Sequence, residues 1–406
     1  MATEAFSRVQ IGRLVTKVAT WNPRVSESNG TIRYVDISSV DREMNAISGV
    51  AEMAAHDAPS RARQLVRTGD VLVSTVRPNL NAVACVGADL DGATASTGYC
   101  VLRADPAVLD FRYLLHWVRS GRFVREMTRK ATGASYPAVT DRIVKDSRIP
   151  LPYPEDQSRS LEAQNRIAAI LDQADAIRRK RREAIEVATT IIPAVFHQMF
   201  GDAYHNPKTW DVVRFKDIIA DGPQNGLYRP ASDYGSGTPI LRIDSFYDGE
   251  VCGLDSLKRV RIDDRAHRNY LLREGDIVIN RVNSREYLGK SAIIRGLVEP
   301  TVFESNMMRL GVDPRRADPQ FVVTMLQQRH IRRQVLRRCK DAVNQSSINQ
   351  ADVESFEFPL PPLTRQRAFA SAYLKAWAVR SRMVESLGMY DELLASLLQR
   401  AFKGEL

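Results

Sequence analysis

Cysteine is nearly absent: Cys85, Cys100, Cys252 and Cys339 are the only four in 406 residues. They stand far apart, in no CxxC or Cys/His ligand spacing, which excludes a disulfide framework or a zinc site and suits a reducing cytoplasm. Histidine is equally sparse, and His56, His116, His197, His205, His267 and His330 fall in no triad-like or metal-ligating cluster. No apolar run approaches the roughly 20 residues that a membrane helix needs. Met1 to Gln10 lacks the basic start and apolar core of a signal peptide. A soluble, cytoplasmic chain without a membrane partner is expected. Catalytic motifs are missing too: there is no GxxxxGKS/T phosphate loop, no HExxH, no GxSxG, and no GxGxxG after a strand. Leu151-Pro152-Tyr153-Pro154 lacks the polar residue that an amino-methylating enzyme uses to hold an exocyclic amine. No catalytic residue, metal or cofactor is expected of this chain.

What is present is length, positive charge and repetition. A chain of 406 residues exceeds what one core usually organises. Lys and Arg total 58 against 48 Asp and Glu, a net charge of +10, which suits a polyanionic partner. Within Gln164 to Phe200, apolar residues recur at steps of three and four: Ile167, Ile170, Ala174, Ile177, then Ala184, Ala188, Ile191, Val195. That is the seam of a long helix made for a helical partner. Gln366 to Phe402 repeats the seam 202 residues later, with Phe369, Ala376, Val379, Tyr390, Leu393 and Leu397 in the matching places. Each helix would span about 55 Å.

The regions before the helices also match. Phe6 to Leu14 faces Trp210 to Ile218, and the β-branched Thr31 to Ser38 faces Thr238 to Ser245. Arg67 to Ser74 faces Arg273 to Asn280, where a Gly-Asp turn feeds a buried strand and makes Asp70 and Asp276 turn residues. Val101 to Pro106, followed by a helical pattern over Phe111 to Met127, faces Leu310 to Pro314, followed by one over Pro319 to Cys339. Ile149 to Pro152 faces Phe358 to Pro361, a stiff exit before each long helix. Offsets stay between 202 and 209 residues, so the chain is a duplication. The expected divisions are 1–155, a helical spacer at 156–201, 202–362, and a second helical spacer at 363–406. Tyr153 to Ser160 has no counterpart and reads as loop.

Each repeat carries loops rich in residues that read base edges or hold phosphates. In the first these are Ser74, Thr75, Arg77, Asn79 and Asn81, then Ser135 and Tyr136 in the stretch from Thr132. In the second they are Asn280, Arg281, Asn283, Ser284 and Arg285, then Asn344, Gln345 and Ser346, with Gln224, Asn225, Tyr228 and Arg229 in an earlier loop. The loops occupy matching places while their residues differ, as two readers of different sequences on one scaffold would. The run Arg178 to Arg182 reads as a solvated helix face, with Arg181 alone on the seam.

Taken together, Ile149 to Pro152, Leu161 to Asp172, Ala174 to Arg181, Phe196 to Asp202, Pro359 to Gln366 and the closing Phe402 to Leu406 resemble the specificity subunits of type I restriction–modification systems. The resemblance covers essentially the whole chain. It implies an α+β fold: two duplicated α/β target-recognition domains separated by two long helices that form an antiparallel coiled coil. It also implies a non-catalytic subunit that reads a bipartite, asymmetric site in double-stranded DNA. Its partners would be two modification subunits, which methylate adenine with S-adenosylmethionine, and restriction subunits that translocate and cleave. A DNA-recognition subunit of another DNA-modifying anti-phage defence complex is the alternative.

Overall fold

Val71–Ser74 and Ile277–Asn280 each open with three consecutive apolar residues because both faces of each strand are covered. In the computed structural model, which describes residues 6–25, 30–343 and 345–406, these strands lie at the centre of two compact units. The first unit comprises Met1–Ile185 with Met383–Leu406, and the second Glu186–Arg382.

In the first unit Val71–Ser74 pairs antiparallel with both Tyr99–Ala104 and Val83–Cys85. Strand alternation then splits the side chains between two cores. Val71, Val73, Cys100 and Leu102 pack with Tyr113, Trp117, Phe123 and Met127, whereas Leu72, Tyr99 and Val101 pack with Ala84 and Val86. The second unit repeats this division. Ile277–Asn280 lies between Ser291–Ile293 and Met307–Val312. Ile277, Ile279, Met308 and Leu310 point to a core with Phe196, Phe321 and Phe369, and Val278 and Met307 to another with Phe246 and Phe303. A parallel pair lies in a further sheet of each unit: Thr31–Val35 with Thr94–Ser96, and Tyr234–Leu241 with Val302–Phe303.

The Gly-Asp turns are turns. Gly69 and Gly275 both sit at φ +86°, where a side chain is disfavoured. Asp70 accepts the Arg67 backbone N–H and Asp276 that of Arg273, each at 2.8 Å. Arginines complete both: the half-buried Arg103 forks onto Asp70 at 2.8 and 2.7 Å, and the buried Arg309 reaches Asp276 at 3.3 Å.

Each helical stretch read as one helix is two. Phe111–Arg119 starts at the N-cap Asp110, which accepts from Arg112 and Tyr113, and ends at the extended Ser120, the cap of Gly121–Lys130. Pro319–Leu326 starts at Asp318, and Gln328 separates it from Arg329–Arg338. The exits close each unit by pairing its ends: Phe6–Gln10 with Arg148–Pro152, and Val212–Arg214 with Glu357–Pro359. Two-stranded ribbons tolerate the exit prolines because nothing else requires their missing N–H.

The long helices are Gln157–Phe200 and Leu363–Ala401. The first begins earlier than expected, taking in part of the Tyr153 to Ser160 segment, because Asp156 caps it by accepting the Arg159 N–H at 3.0 Å. It also continues through Pro193. Within the first unit the helical segments run antiparallel: Arg181 donates to Ser386 Oγ at 2.6 Å while Arg178 approaches Asp391 at 3.8 Å. In the second unit Phe196 meets Phe369 edge-on at 5.3 Å. The first long helix has two apolar faces. Ile167, Ala168 and Leu171 enter the core beside Trp117, and Ile170, Ala174 and Ile177 line a groove with Tyr390, Leu393 and Leu394. Among the described residues no helix is long and apolar enough to cross a membrane.

Candidate nucleic-acid interface

In both units, backbone pairing draws the two expected loops together. In the first, Val76 and Thr132 each bridge to Ala138, the Arg77 N–H donates to the Pro137 carbonyl at 2.7 Å, and the Val139 N–H to that of Thr75 at 2.9 Å. The Arg77 guanidinium then lies 4.5 Å from the centre of the Tyr136 ring, within 3.5 Å of the Ser135 carbonyl. Arg77 has φ +49°, rare for a non-glycine residue, with its N–H tied to the Pro137 carbonyl. Arg77, Asn79, Ser135 and Tyr136 are exposed, Tyr136 by 69%.

Ser74, Thr75 and Asn81 are not free to read bases. Ser74 and Thr75 are buried, with their hydroxyls donating to the Val76 and Gly98 carbonyls at 3.0 and 2.9 Å. Asn81 takes the left-handed conformation and donates to the Arg119 carbonyl at 3.2 Å. These polar groups satisfy the backbone of a tight loop that would otherwise be left unpaired.

In the second unit the junction is a small sheet. Val282–Asn283 pairs with Gln345–Ser347, which pairs with Lys340–Ala342. Arg281 donates to the Ser305 carbonyl at 3.1 Å, and the Ser305 N–H donates to Leu227 at 2.9 Å, which brings in the earlier loop. Asn225, Tyr228, Ser284, Arg285 and Gln345 are exposed, and Asn283 and Arg229 half-buried. Arg229 and Arg285 lie 3.7 and 3.5 Å from Asp263 and Asp341. The Ser346 hydroxyl, donating to Asp341 at 2.6 Å with Arg285 nearby, holds that carboxyl below its usual range.

Here too some expected readers are structural. Asn280 is fully buried and Ser346 nearly so. Gln224 is spent on Arg309 and the Asn269 carbonyl, both at 2.9 Å. Arg281 is the strut to Ser305. Asn344 lies outside the described residues.

Sequence reading missed an aromatic cluster beside this site. Lys290 Nζ stands 4.6, 4.1 and 5.6 Å from the rings of Phe246, Tyr247 and Tyr287, and donates to the Ile243 carbonyl at 2.7 Å. Burial lowers its ammonium pKa from the ordinary lysine value. It also missed the strand-entry turn, where Gly98 accepts from Thr75 and Asn306 from Arg281 at 2.9 and 2.8 Å. The matched starts of Tyr99–Ala104 and Met307–Val312 were the signal available for it. Exposed Arg, Asn, Gln and Tyr side chains on short braced loops supply the forked donors and paired donor–acceptor groups that distinguish base edges.

No protein-family model matches the chain. A Methanocaldococcus jannaschii protein named for the type I restriction enzyme MjaX specificity subunit is 33% identical over 168 residues, covering 40% of this chain and 38% of that protein. The StySPI specificity subunit of Salmonella potsdam is 22% identical over 311 residues, 72% of this chain and 65% of that one. The EcoKI specificity subunit of Escherichia coli is 21% identical over 323 residues, 75% and 68%. The chain therefore spans between 38% and 68% of the length of these relatives. A solved chain from the assembly and conformational transition of the type I R-M system is 25% identical, with a TM-score of 0.62 over 99% of this chain and 98% of that one. The type I S subunit from M. genitalium, 14% identical with a TM-score of 0.53 over 100% and 97%, shares the fold.

Proposed function

We propose that this chain, whose relatives are specificity subunits of type I restriction enzymes, reads DNA sequence for a restriction–modification complex and performs no chemistry itself. Residues 1–155 and 202–362 serve as two target-recognition domains, each reading one half of a bipartite, asymmetric site. Residues 156–201 and 363–406 are the helical spacers. Two modification subunits would methylate an adenine in each half, bringing S-adenosylmethionine, and restriction subunits would translocate and cleave with ATP.

The observation that carries this reading is the loop junction found in both units. One scaffold braces the same two loops by backbone pairing, yet presents Arg77, Asn79 and Tyr136 in one copy and Asn283, Ser284, Arg285 and Gln345 in the other. A fold that fixes the backbone and varies the exposed polar side chains is suited to reading two different half-sites.

The test is to sequence methylated DNA from cells carrying this chain with its modification subunit. Replacing Asn283, Ser284 and Arg285 with alanine should relax one half-site and leave the other specified. A lost bidentate base contact costs about 1–3 kcal/mol. A methylated motif unchanged in both halves would mean that another face of the unit reads the DNA.

A further inference from the structure

Gly121–Lys130 and Arg329–Arg338, the second helix of each matched pair, are both ten residues long and carry the same pattern. At the third and seventh positions stand Phe123 and Met127 in one, Ile331 and Val335 in the other, all 2% exposed or less. At the fifth and ninth stand Arg125 and Arg129, matched by Arg333 and Arg337, all exposed. With about 100° per residue, the arginines project about 160° away from the buried pair. The core residues thus fix each helix with its arginines outward.

An exposed basic face is usually only solvated, but two features separate this one from that case. Solvated cations on helices commonly find acids, as Lys130 does with Glu126 at 2.6 Å. Among the described residues none of the four arginines makes an ion pair, and Arg329–Arg338 contains no acid at all. Arg333 instead rests 5.3 Å from the Tyr204 ring. Second, the position is shared: Arg129 and Arg337 each stand three residues before the backbone pairing that braces a reader loop, the bridge at Thr132 and the strand at Lys340. The backbone cannot be the attraction, because the carboxyl end of a helix carries about half a negative charge and repels anions. Only the full side-chain charges could hold a polyanion there.

We propose that Arg125 and Arg129 in the first unit, and Arg333 and Arg337 in the second, grip DNA phosphates beside the bases each unit reads. They supply affinity that is independent of sequence. This inference rests on the DNA-recognition reading above.

The experiment uses the full chain assembled with its modification subunit and a mixed-sequence duplex of about 40 base pairs, following the dependence of the binding constant on NaCl. Each phosphate contact contributes about 0.9 to the slope of log K against log salt. Replacing all four arginines with glutamine should lower the slope by about 3.6, and replacing one pair by about 1.8. The methylated half-site sequences should stay the same. The four-lysine variant, which keeps the charges, should restore the slope. An unchanged slope in the glutamine variant overturns the proposal, as does loss of the modification subunit at constant slope, which would assign the arginines to a protein partner. A slope lost equally in the lysine variant also overturns it, because charge would not be the cause. If the unaltered complex bound no duplex, the DNA-recognition reading itself would fail.

Discussion

The first unit adds ion pairs to the apolar packing of its long helix, whereas the second adds a cluster of rings. In the first, Asp172 accepts from His116 at 2.8 Å, and the buried Asp175 takes Arg119 at 3.0 Å, Arg178 at 3.2 Å and Arg179 at 2.6 Å. In the second, Phe196, Phe200, Phe321 and Phe369 form a cluster with centroids 5.0 to 6.0 Å apart, edge-to-face except for the stacked pair Phe196 and Phe321. One device is common to both. Gln164, fully buried, accepts the Asp110 N–H at 3.0 Å, and Gln366 accepts that of Asp318 at 2.9 Å. Each also donates to a nearby carbonyl, Val108 or Arg316, at 3.2 Å. Two copies of one fold thus keep the amide that accepts a backbone N–H and donates to a carbonyl from one side chain.

Removing the grip should cost each unit similarly but by different routes. Asp175→Ala leaves the largely buried Arg119 guanidinium without its acid, a loss of about 3–5 kcal/mol. Phe196→Ala opens a cavity and should also cost about 3–5 kcal/mol. Thermal unfolding would check both. A double replacement of Asp175 and Arg119 by leucine should recover much of the first loss, since Arg119 is then not stranded and Arg178 keeps Asp391 at 3.8 Å. If it recovered nothing, the network would be doing more than compensating its own burial.

A smaller effect, with opposite signs in the two units, follows from acid. Burial alone would raise the Asp175 carboxyl, but Arg119 and Arg179 outweigh it and hold the pKa below the usual range. Its stabilisation is therefore complete above about pH 4, the unfolded value, and is lost as pH falls below that toward the folded pKa. Glu250 in the second unit is raised instead, because burial outweighs its Tyr373 hydrogen bond and Arg295. Its folded form binds the proton more tightly than the unfolded chain does, so its contribution declines as pH rises from about 4 through the raised folded pKa. Melting Asp175→Asn and Glu250→Gln beside the parent chain between pH 3 and 7 should give difference curves of opposite slope. Parallel curves would dissolve the contrast between the two grips.

Much of this plan was legible in the sequence because duplication let one half check the other. The Gly-Asp turns, the proline exits and the long helices all have counterparts, and their physical reasons are local. Three things were not legible. Ser74, Thr75 and Asn280 look like readers, but a buried polar side chain that satisfies a loop and an exposed one that meets a base have the same composition. The seam reading caught Ile170, Ala174 and Ile177 and missed Leu171, because a helix apolar on two faces shows no single period. The paired arginines went unseen because each helical stretch was read as one helix, and only the breaks at Ser120 and Gln328 set the two registers equal.

Arg181 gives the weakest and most discriminating test of that lesson. It lies in a run of five basic residues that reads as a solvated face, yet its guanidinium donates to Ser386 and lies 4.0 Å from the centre of the Tyr390 ring. Held by the partner helix, its charge is turned to the seam, whereas those of Arg125 and Arg129 are unpaired. A partly exposed cation–π contact is worth about 0.5–1 kcal/mol. Arg181→Met keeps most of the apolar stem in place, so it should destabilise the chain by no more than about 1 kcal/mol. It should also leave the salt dependence of DNA binding untouched, unlike Arg125→Gln. A fall in slope of about 0.9 on replacing Arg181 would show that this arginine, too, is gripping a phosphate, and that helical position alone does not separate structural from DNA-facing charge.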